Sequence, residues 1–114
     1  YYAIVEATAF GVKAMVDTLV DNGVALDSIT AIGGIAVKSP FIVQFLADVL
    51  GMDIFVPNLT QACGLGAAIN AAVASGCWPT LIDAQKAMCV TEGVKYTASS
   101  ARDFSGRYAR YRNM

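Results

Sequence analysis

The sequence predicts an α/β fold in which two short parallel strands are covered by helices. Two apolar runs, residues 29–32 and 53–57, flank a capped amphipathic segment. A strand, helix, strand order implies a parallel pair joined by a right-handed crossover. About five helical segments accompany these two strands, and parallel strands need neighbours at their edges and cover on both faces. The rest of the sheet is therefore expected in sequence outside this chain.

The composition supports an incomplete domain. The chain has 114 residues, of which 56% are hydrophobic and only 15% are charged, and its mean hydropathy is +0.53. Charged residues usually make up about a quarter of a globular domain. A chain this apolar buries more surface than it can cover alone, so we expect it to self-associate or to expose a large apolar patch.

Several classes of protein are disfavoured by the same composition. The most apolar stretch, residues 62–74, is rich in Ala and Gly and shorter than the roughly 20 residues of a membrane span. The chain opens with Tyr1 instead of Met and shows no signal peptide, which indicates a piece of a longer, cytoplasmic protein. A net charge of −1 gives no general attraction to nucleic acid.

Histidine is absent, which excludes Ser-His and Cys-His catalytic pairs within the chain. Cys63, Cys77 and Cys89 lack the CxxC spacing of a zinc site. They are interpreted as reduced, buried thiols, and no metal site is expected.

Residues 1–22 form the first predicted helix, which stops at Asn22-Gly23. Gly11 interrupts this helix at a cost of about 1 kcal/mol relative to alanine, which favours a close approach of another element there. The apolar side chains expected on its buried face are Val5, Val12, Met15 and Leu19.

The central helix has the clearest local signals. Ser39 is placed at the N-cap, Pro40 at the first helical position and Gly51 at the C-terminal stop. Its predicted apolar face consists of Ile42, Phe45, Leu46 and Val49.

The second strand is expected to close at Pro57, because proline cannot donate to an interior ladder. Three further helices are predicted, at residues 62–74, at residues 80–88 with Thr80 as the cap, and at residues 103–111. Residues 92–100 are expected to be irregular.

Gly33-Gly34 is the leading candidate for a ligand-facing turn. It lies between a strand end and a helix, where glycine lets the backbone approach a ligand and the helix dipole favours negative charge. A tight turn that needs a positive φ is the alternative. Lys38 follows closely and could meet a phosphate or ribose, or could be a solvated loop lysine. The turn matches neither the P-loop nor the GxGxxG fingerprint.

Other candidates are better explained by structure. Gly64 and Gly66 lie inside a helical stretch, where close helix packing is the preferred reason for them. Glu6 and Asp17 are read as solvated helix faces. The basic and aromatic terminal segment could bind single-stranded nucleic acid, but its aromatic spacing favours packing on the domain. That segment contains Arg102, Phe104, Arg107, Tyr108, Arg110, Tyr111 and Arg112.

Three motifs in register resemble the FGGY carbohydrate kinases. They are EATAFG at residues 6–11, GGIAVKSP at residues 33–40 and QACGLGAAINAAVASG at residues 61–76. Their wording is most similar to the ribulokinase branch of the family. Family members often continue the first motif with threonine and arginine, whereas this chain has Val12 and Lys13, which keeps the charge without bidentate capacity.

The resemblance implies a two-domain actin-like ATPase, with each domain built on a ribonuclease H-like mixed sheet. Residues 1–114 would be the C-terminal portion of the second, ATP-binding domain. Carried over by position, the adenosine side of the nucleotide site would consist of Gly33, Gly34, Ile35 and Lys38. Mg²⁺ would be held mainly by ATP and by residues outside this chain.

The resemblance further implies transfer of the γ-phosphoryl group of ATP to a ketopentose, with L-ribulose as the expected sugar. The sugar would bind through the missing N-terminal domain. The catalytic aspartate and the phosphate loops would also lie upstream, so no catalytic residue is placed here and the fragment alone should be inactive. Two alternatives stay open: a fragment of a non-kinase actin-like ATPase, and a structural helical module without a ligand.

Overall fold

A computed structural model describes all of residues 1–114 as six helices and one three-stranded mixed sheet. The helices are α1 (Tyr2–Asp21), α2 (Gly34–Lys38), α3 (Pro40–Leu50), α4 (Ala62–Ala74), α5 (Leu81–Met88) and α6 (Ser105–Arg112). The strands are β1 (Ile29–Thr30), β2 (Ile54–Pro57) and β3 (Gly93–Tyr96). The predicted α/β class is confirmed.

The sheet has the order β1, β2, β3. Strands β1 and β2 are parallel, as predicted, with Ile29 opposite Ile54. Strand β3 runs antiparallel along the other edge of β2, so the prediction that residues 92–100 are irregular was wrong for residues 93–96. The side chains of β3 are almost all exposed, and the strand therefore carries no apolar alternation in its sequence. Gly93 is required there, because a Cβ atom would overlap the carbonyl oxygen of Val56.

Helix α3 confirms its predicted boundaries. Pro40 is its first residue, and Gly51 ends it in the left-handed conformation with φ 67°. Ser39 is the N-cap residue, although its hydroxyl accepts no capping hydrogen bond. The five-residue helix α2 directly before it was missed, since a single turn is too short to show a periodicity.

Two apolar clusters share α3. One cluster lies between α2, α3 and the sheet and consists of Ala36, Val43, Ala47, Ile54 and Val56. The other joins α3 to α1 and the C-terminal segment and consists of Val5, Ala9, Phe10, Phe45, Val49 and Phe104. The predicted apolar face of α3 is confirmed, since Phe45 and Val49 are buried and Ile42 and Leu46 pack against them.

The predicted buried face of α1 was partly wrong. Val5 is buried, but Met15 and Leu19 are 62% and 46% exposed. All buried residues of α1 lie in its first half, and the apolar side chains of its second half are only partly covered or are exposed. Gly11 does face a close neighbour, since an added Cβ would lie 3.5 Å from the Tyr111 hydroxyl.

Helix α6 packs back on α1, which confirms the structural explanation of the aromatic spacing. The Phe10 ring lies 6.5 Å from Phe104, 5.5 Å from Tyr108 and 5.7 Å from Tyr111, measured between ring centroids. The terminal helix therefore serves as cover for α1.

Helices α4 and α5 pack mainly on each other and make few contacts with the other elements. The predicted cap of α5 is confirmed, because the Thr80 hydroxyl accepts a hydrogen bond from the Asp83 amide at 3.2 Å. The prediction of close helix packing at Gly64 and Gly66 was wrong. An added Cβ at Gly66 meets nothing within 4 Å, and one at Gly64 meets only Gln61.

The expectation of buried thiols was also wrong, because all three cysteines are free and exposed. They fall on α4, after it and after α5, where this chain provides no covering element.

The accessible surface of the chain is larger than that of a compact protein of the same mass. Its accessible surface is 7575 Å², and only 14 of the 114 residues are buried. A compact protein of 12.0 kDa exposes about 6,000 Å². No helix combines the length and apolar content needed to cross a membrane.

Candidate functional site

The Gly33-Gly34 turn lies just beyond the carboxyl end of β1, and the loop that leads from β2 into α4 lies at the same edge of the sheet. Ligands of open α/β sheets bind in crevices outside the carboxyl ends of the strands. The turn therefore occupies the edge on which the fold places ligands.

The two glycines have different structural requirements. Gly33 has φ 101° and ψ 173°, a conformation that is essentially restricted to glycine. Gly34 has no positive φ, and an added Cβ there would meet nothing within 4 Å. A tight turn therefore accounts for Gly33 but leaves the glycine at position 34 without a reason inside this chain.

Ile35 opens onto an apolar cavity. Its side chain is 68% exposed and lies on the wall of a cavity of about 390 Å³ between α1, α2 and α3. Small-molecule sites are concave, mostly apolar and about 300 to 1,000 Å³ in volume. Thr8 contributes a polar side chain to the lining, and its hydroxyl donates to the Ile4 carbonyl at 2.9 Å. The lining consists of Tyr1, Ile4, Val5, Thr8, Ala9, Ile35, Ile42 and Leu46.

Lys38, the last residue of α2, is exposed and forms neither an ion pair nor a side-chain hydrogen bond. Ile35 and Lys38 are three residues apart, which places them on neighbouring positions of the same side of α2. The four predicted site residues thus occupy one turn and one short helix. Only Ile35 among them lines the cavity.

Sequence reasoning missed the wall of this cavity that α1 provides. Tyr1, Ile4 and Thr8 follow the spacing of one helical stripe and line the cavity together. The sequence signal for this wall was the second stripe of α1, which lies next to the face that contains Val5. It was not found because a helix with apolar residues on several sides does not show which side is covered.

A second cavity of about 390 Å³ lies at the opposite edge, where β1 and β2 begin. Asp53 in its lining forms an ion pair with Lys95 at 2.8 Å. The Lys95 ammonium and the Ala98 amide hold the pKa of the Asp53 carboxyl below its usual value. These bonds attach the β3 segment to the start of β2, and no group of three or more Asp, Glu, His or Cys residues could hold a metal ion.

Comparison with known proteins identifies the family. The family model described as the FGGY family of carbohydrate kinases, C-terminal domain, matches residues 1–75. The chain belongs to the FGGY family of carbohydrate kinases. The expectation drawn from the three motifs is thereby confirmed.

Several curated relatives named ribulokinase are similar in sequence to this chain. The ribulokinase of Vibrio parahaemolyticus is 45% identical over 116 residues, which cover 100% of this chain and 20% of the relative. The ribulokinase of Bacillus licheniformis is 46% identical over 76 residues, which cover 67% of this chain and 14% of the relative. The chain therefore spans about a fifth or less of the length of these relatives.

The FGGY match contains the glycine turn, the cavity and α4, whereas β3 and α6 lie beyond its end at residue 75. The candidate site is thus built from the part of the chain that the family shares. The C-terminal elements that support α1 are outside it.

The different backbone geometries of Gly33 and Gly34 give the first prediction. Gly33→Ala should lower the free energy of unfolding by about 1 to 3 kcal/mol, because alanine is strained at φ 101°. Gly34→Ala should change it by less than about 0.5 kcal/mol, since the position has open space and no positive φ. Urea unfolding of both variants measures the difference, and equal destabilisation would contradict the assigned geometry.

Proposed function

We propose that the protein carrying this chain transfers the γ-phosphoryl group of ATP to a ketopentose, L-ribulose, in the cytoplasm, and that this chain binds the adenosine part of ATP. Membership of the FGGY family supports a sugar kinase. The ribulokinase relatives support the choice of ribulose.

The observation that carries the nucleotide assignment is the open Gly34 position beside an apolar cavity. Nothing in this chain occupies the space above Gly34, so a ligand can approach its backbone closely. Ile35 connects the turn to the cavity, where an adenine base could be desolvated. Lys38 projects from the same side of α2 and supplies a positive charge for the ribose or a phosphate.

An open turn also argues against a purely structural module. That interpretation requires the Gly33-Gly34 turn to be covered by side chains, yet a Cβ added at either glycine meets no atom within 4 Å. No side chain of this chain therefore fills the space next to the turn.

The fold proposal is that residues 1–114 are the last part of a ribonuclease H-like, ATP-binding domain of the actin-like type. Strand β1 is an edge strand with one unpaired side. Unpaired edges are normally covered or continued. The remaining strands of the domain would extend the sheet from β1, and the chain's small fraction of buried residues agrees with missing cover.

In this proposal the chain holds the nucleotide but performs no chemistry. Its residues include no cluster that fits Mg²⁺, so the metal would be held by the triphosphate and by residues outside the chain. The base that accepts the proton of the sugar hydroxyl would also lie outside it. In phosphoryl transfer the protein contributes mainly positioning and charge stabilisation, and positioning of adenosine is what Gly34, Ile35 and Lys38 can supply.

Gly34→Arg in the full-length protein tests the nucleotide site. The arginine fits the fold, because position 34 is open, but it fills the space assigned to adenosine. ATP affinity measured by calorimetry should fall by about tenfold or more, equal to about 1.4 kcal/mol. Gly106→Arg is the matched control, since Gly106 also lies in the first turn of a helix, α6, with open space around it. Unchanged ATP affinity in the Gly34 variant would reject the site.

The reaction is tested by ADP release from the full-length protein. L-Ribulose should stimulate ADP release and yield a phosphorylated sugar, because a sugar kinase transfers the γ-phosphoryl group of ATP to the sugar hydroxyl instead of to water. A coupled assay with and without the sugar measures it. ATP hydrolysis that no sugar stimulates would instead indicate a non-kinase actin-like ATPase.

We also propose that the isolated chain self-associates through its exposed apolar side chains. Ile4, Ile35 and Phe41 are each at least half exposed, and Ile4 and Ile35 line the cavity. Light scattering should show species larger than 12.0 kDa at high concentration. A clean monomer there would contradict this expectation.

A further inference from the structure

We propose that Arg107 and Tyr108 on α6 are positioning residues for the nucleotide site, because they fix the helix that forms one wall of the cavity. The inference rests on the proposed nucleotide function. It assigns a role to the C-terminal segment, which lies outside the FGGY match.

Two faces of helix α1 contact different parts of the structure. One face lines the cavity through Ile4 and Thr8. Another face meets α6 through Glu6, Phe10 and Asp17. Because a helix moves as a rigid rod, a shift of α1 on the α6 side changes the width of the cavity on the other side.

Two polar links join α6 to α1. The Arg107 guanidinium donates to Glu6 Oε2 at 2.9 Å, and the Tyr108 hydroxyl donates to Asp17 Oδ2 at 2.5 Å. Glu6 and Asp17 are eleven residues apart, which is about 16 Å along the helix axis. Two links at that separation fix the tilt of α1 as well as its position.

The Asp17 link lies in the half of α1 that contains no buried residue. Every buried residue of α1 precedes Gly11, whereas Asp17 lies in the second half. The Tyr108 hydrogen bond, with help from Lys13, holds the pKa of the Asp17 carboxyl below its usual value, so the carboxylate is a charged acceptor at neutral pH.

The links can be separated from the packing. The Tyr108 and Tyr111 rings both lie against Phe10. Only the Tyr108 hydroxyl is hydrogen-bonded to α1, and the Tyr111 hydroxyl makes no hydrogen bond. On the same helix, Arg107 is paired, and Arg110 is exposed and forms no ion pair. Each link therefore has a control residue that carries the same group without the bond.

The experiment uses the full-length protein with Tyr108→Phe, Arg107→Gln and both changes, and with Tyr111→Phe and Arg110→Gln as controls. KM for ATP should rise by about threefold to tenfold in the double variant, because loss of two weak links alters the wall but not the reacting groups. The value of kcat and the KM for the sugar should stay within about twofold. Arg107→Lys should restore most of the Arg107 effect, since it keeps the charge.

Hydrogen exchange gives a second readout that does not depend on activity. Amides of residues 13–21 should exchange faster in Tyr108→Phe than in Tyr111→Phe, since only the first loses its link to α1. An unchanged KM for ATP despite faster exchange would overturn the positioning role. Equal effects in the control variants would overturn it as well. If Gly34→Arg leaves ATP affinity unchanged, the proposed nucleotide site itself has failed, which is a distinct result.

Discussion

Helix α3 is buried on two sides, and both apolar clusters of the chain depend on it. Val43 and Ala47 face the sheet, whereas Phe45 and Val49 face α1 and the C-terminal segment. Because α3 packs on both sides, it determines the distance between β1 and α1. The glycine turn and the cavity wall are therefore held in one geometry by the packing of eleven residues.

The remaining elements are attached to this centre with very different strength. The segment between β3 and α6 contacts α3 through a hydrogen bond from Gln44 to the Thr97 carbonyl and through the Phe45 and Phe104 rings, although it lies far from α3 in sequence. Helices α4 and α5 mainly contact each other. The whole chain corresponds to 20% of the length of the Vibrio parahaemolyticus ribulokinase.

The candidate site could be predicted only as far as backbone geometry reaches. A glycine pair between a strand and a helix is visible in sequence, and the structure shows that Gly33 has a positive φ and Gly34 does not. The cavity beside Ile35 could not be predicted, because three helices form it and their side chains meet only after folding. The hydrogen bond between Tyr108 and Asp17 could not be predicted either, since these residues are 91 positions apart in sequence.

The sequence by itself determined what neighbouring residues decide among themselves: the start of α3 at Pro40, its end at Gly51, the cap at Thr80 and the family motifs. Capping and turn formation are local, so a few residues are enough to specify them. Only the tertiary structure decided the pairing of β3, the exposure of Met15 and of the three cysteines, and the cavity wall. Burial depends on which distant segment arrives to provide cover, and no local pattern contains that information.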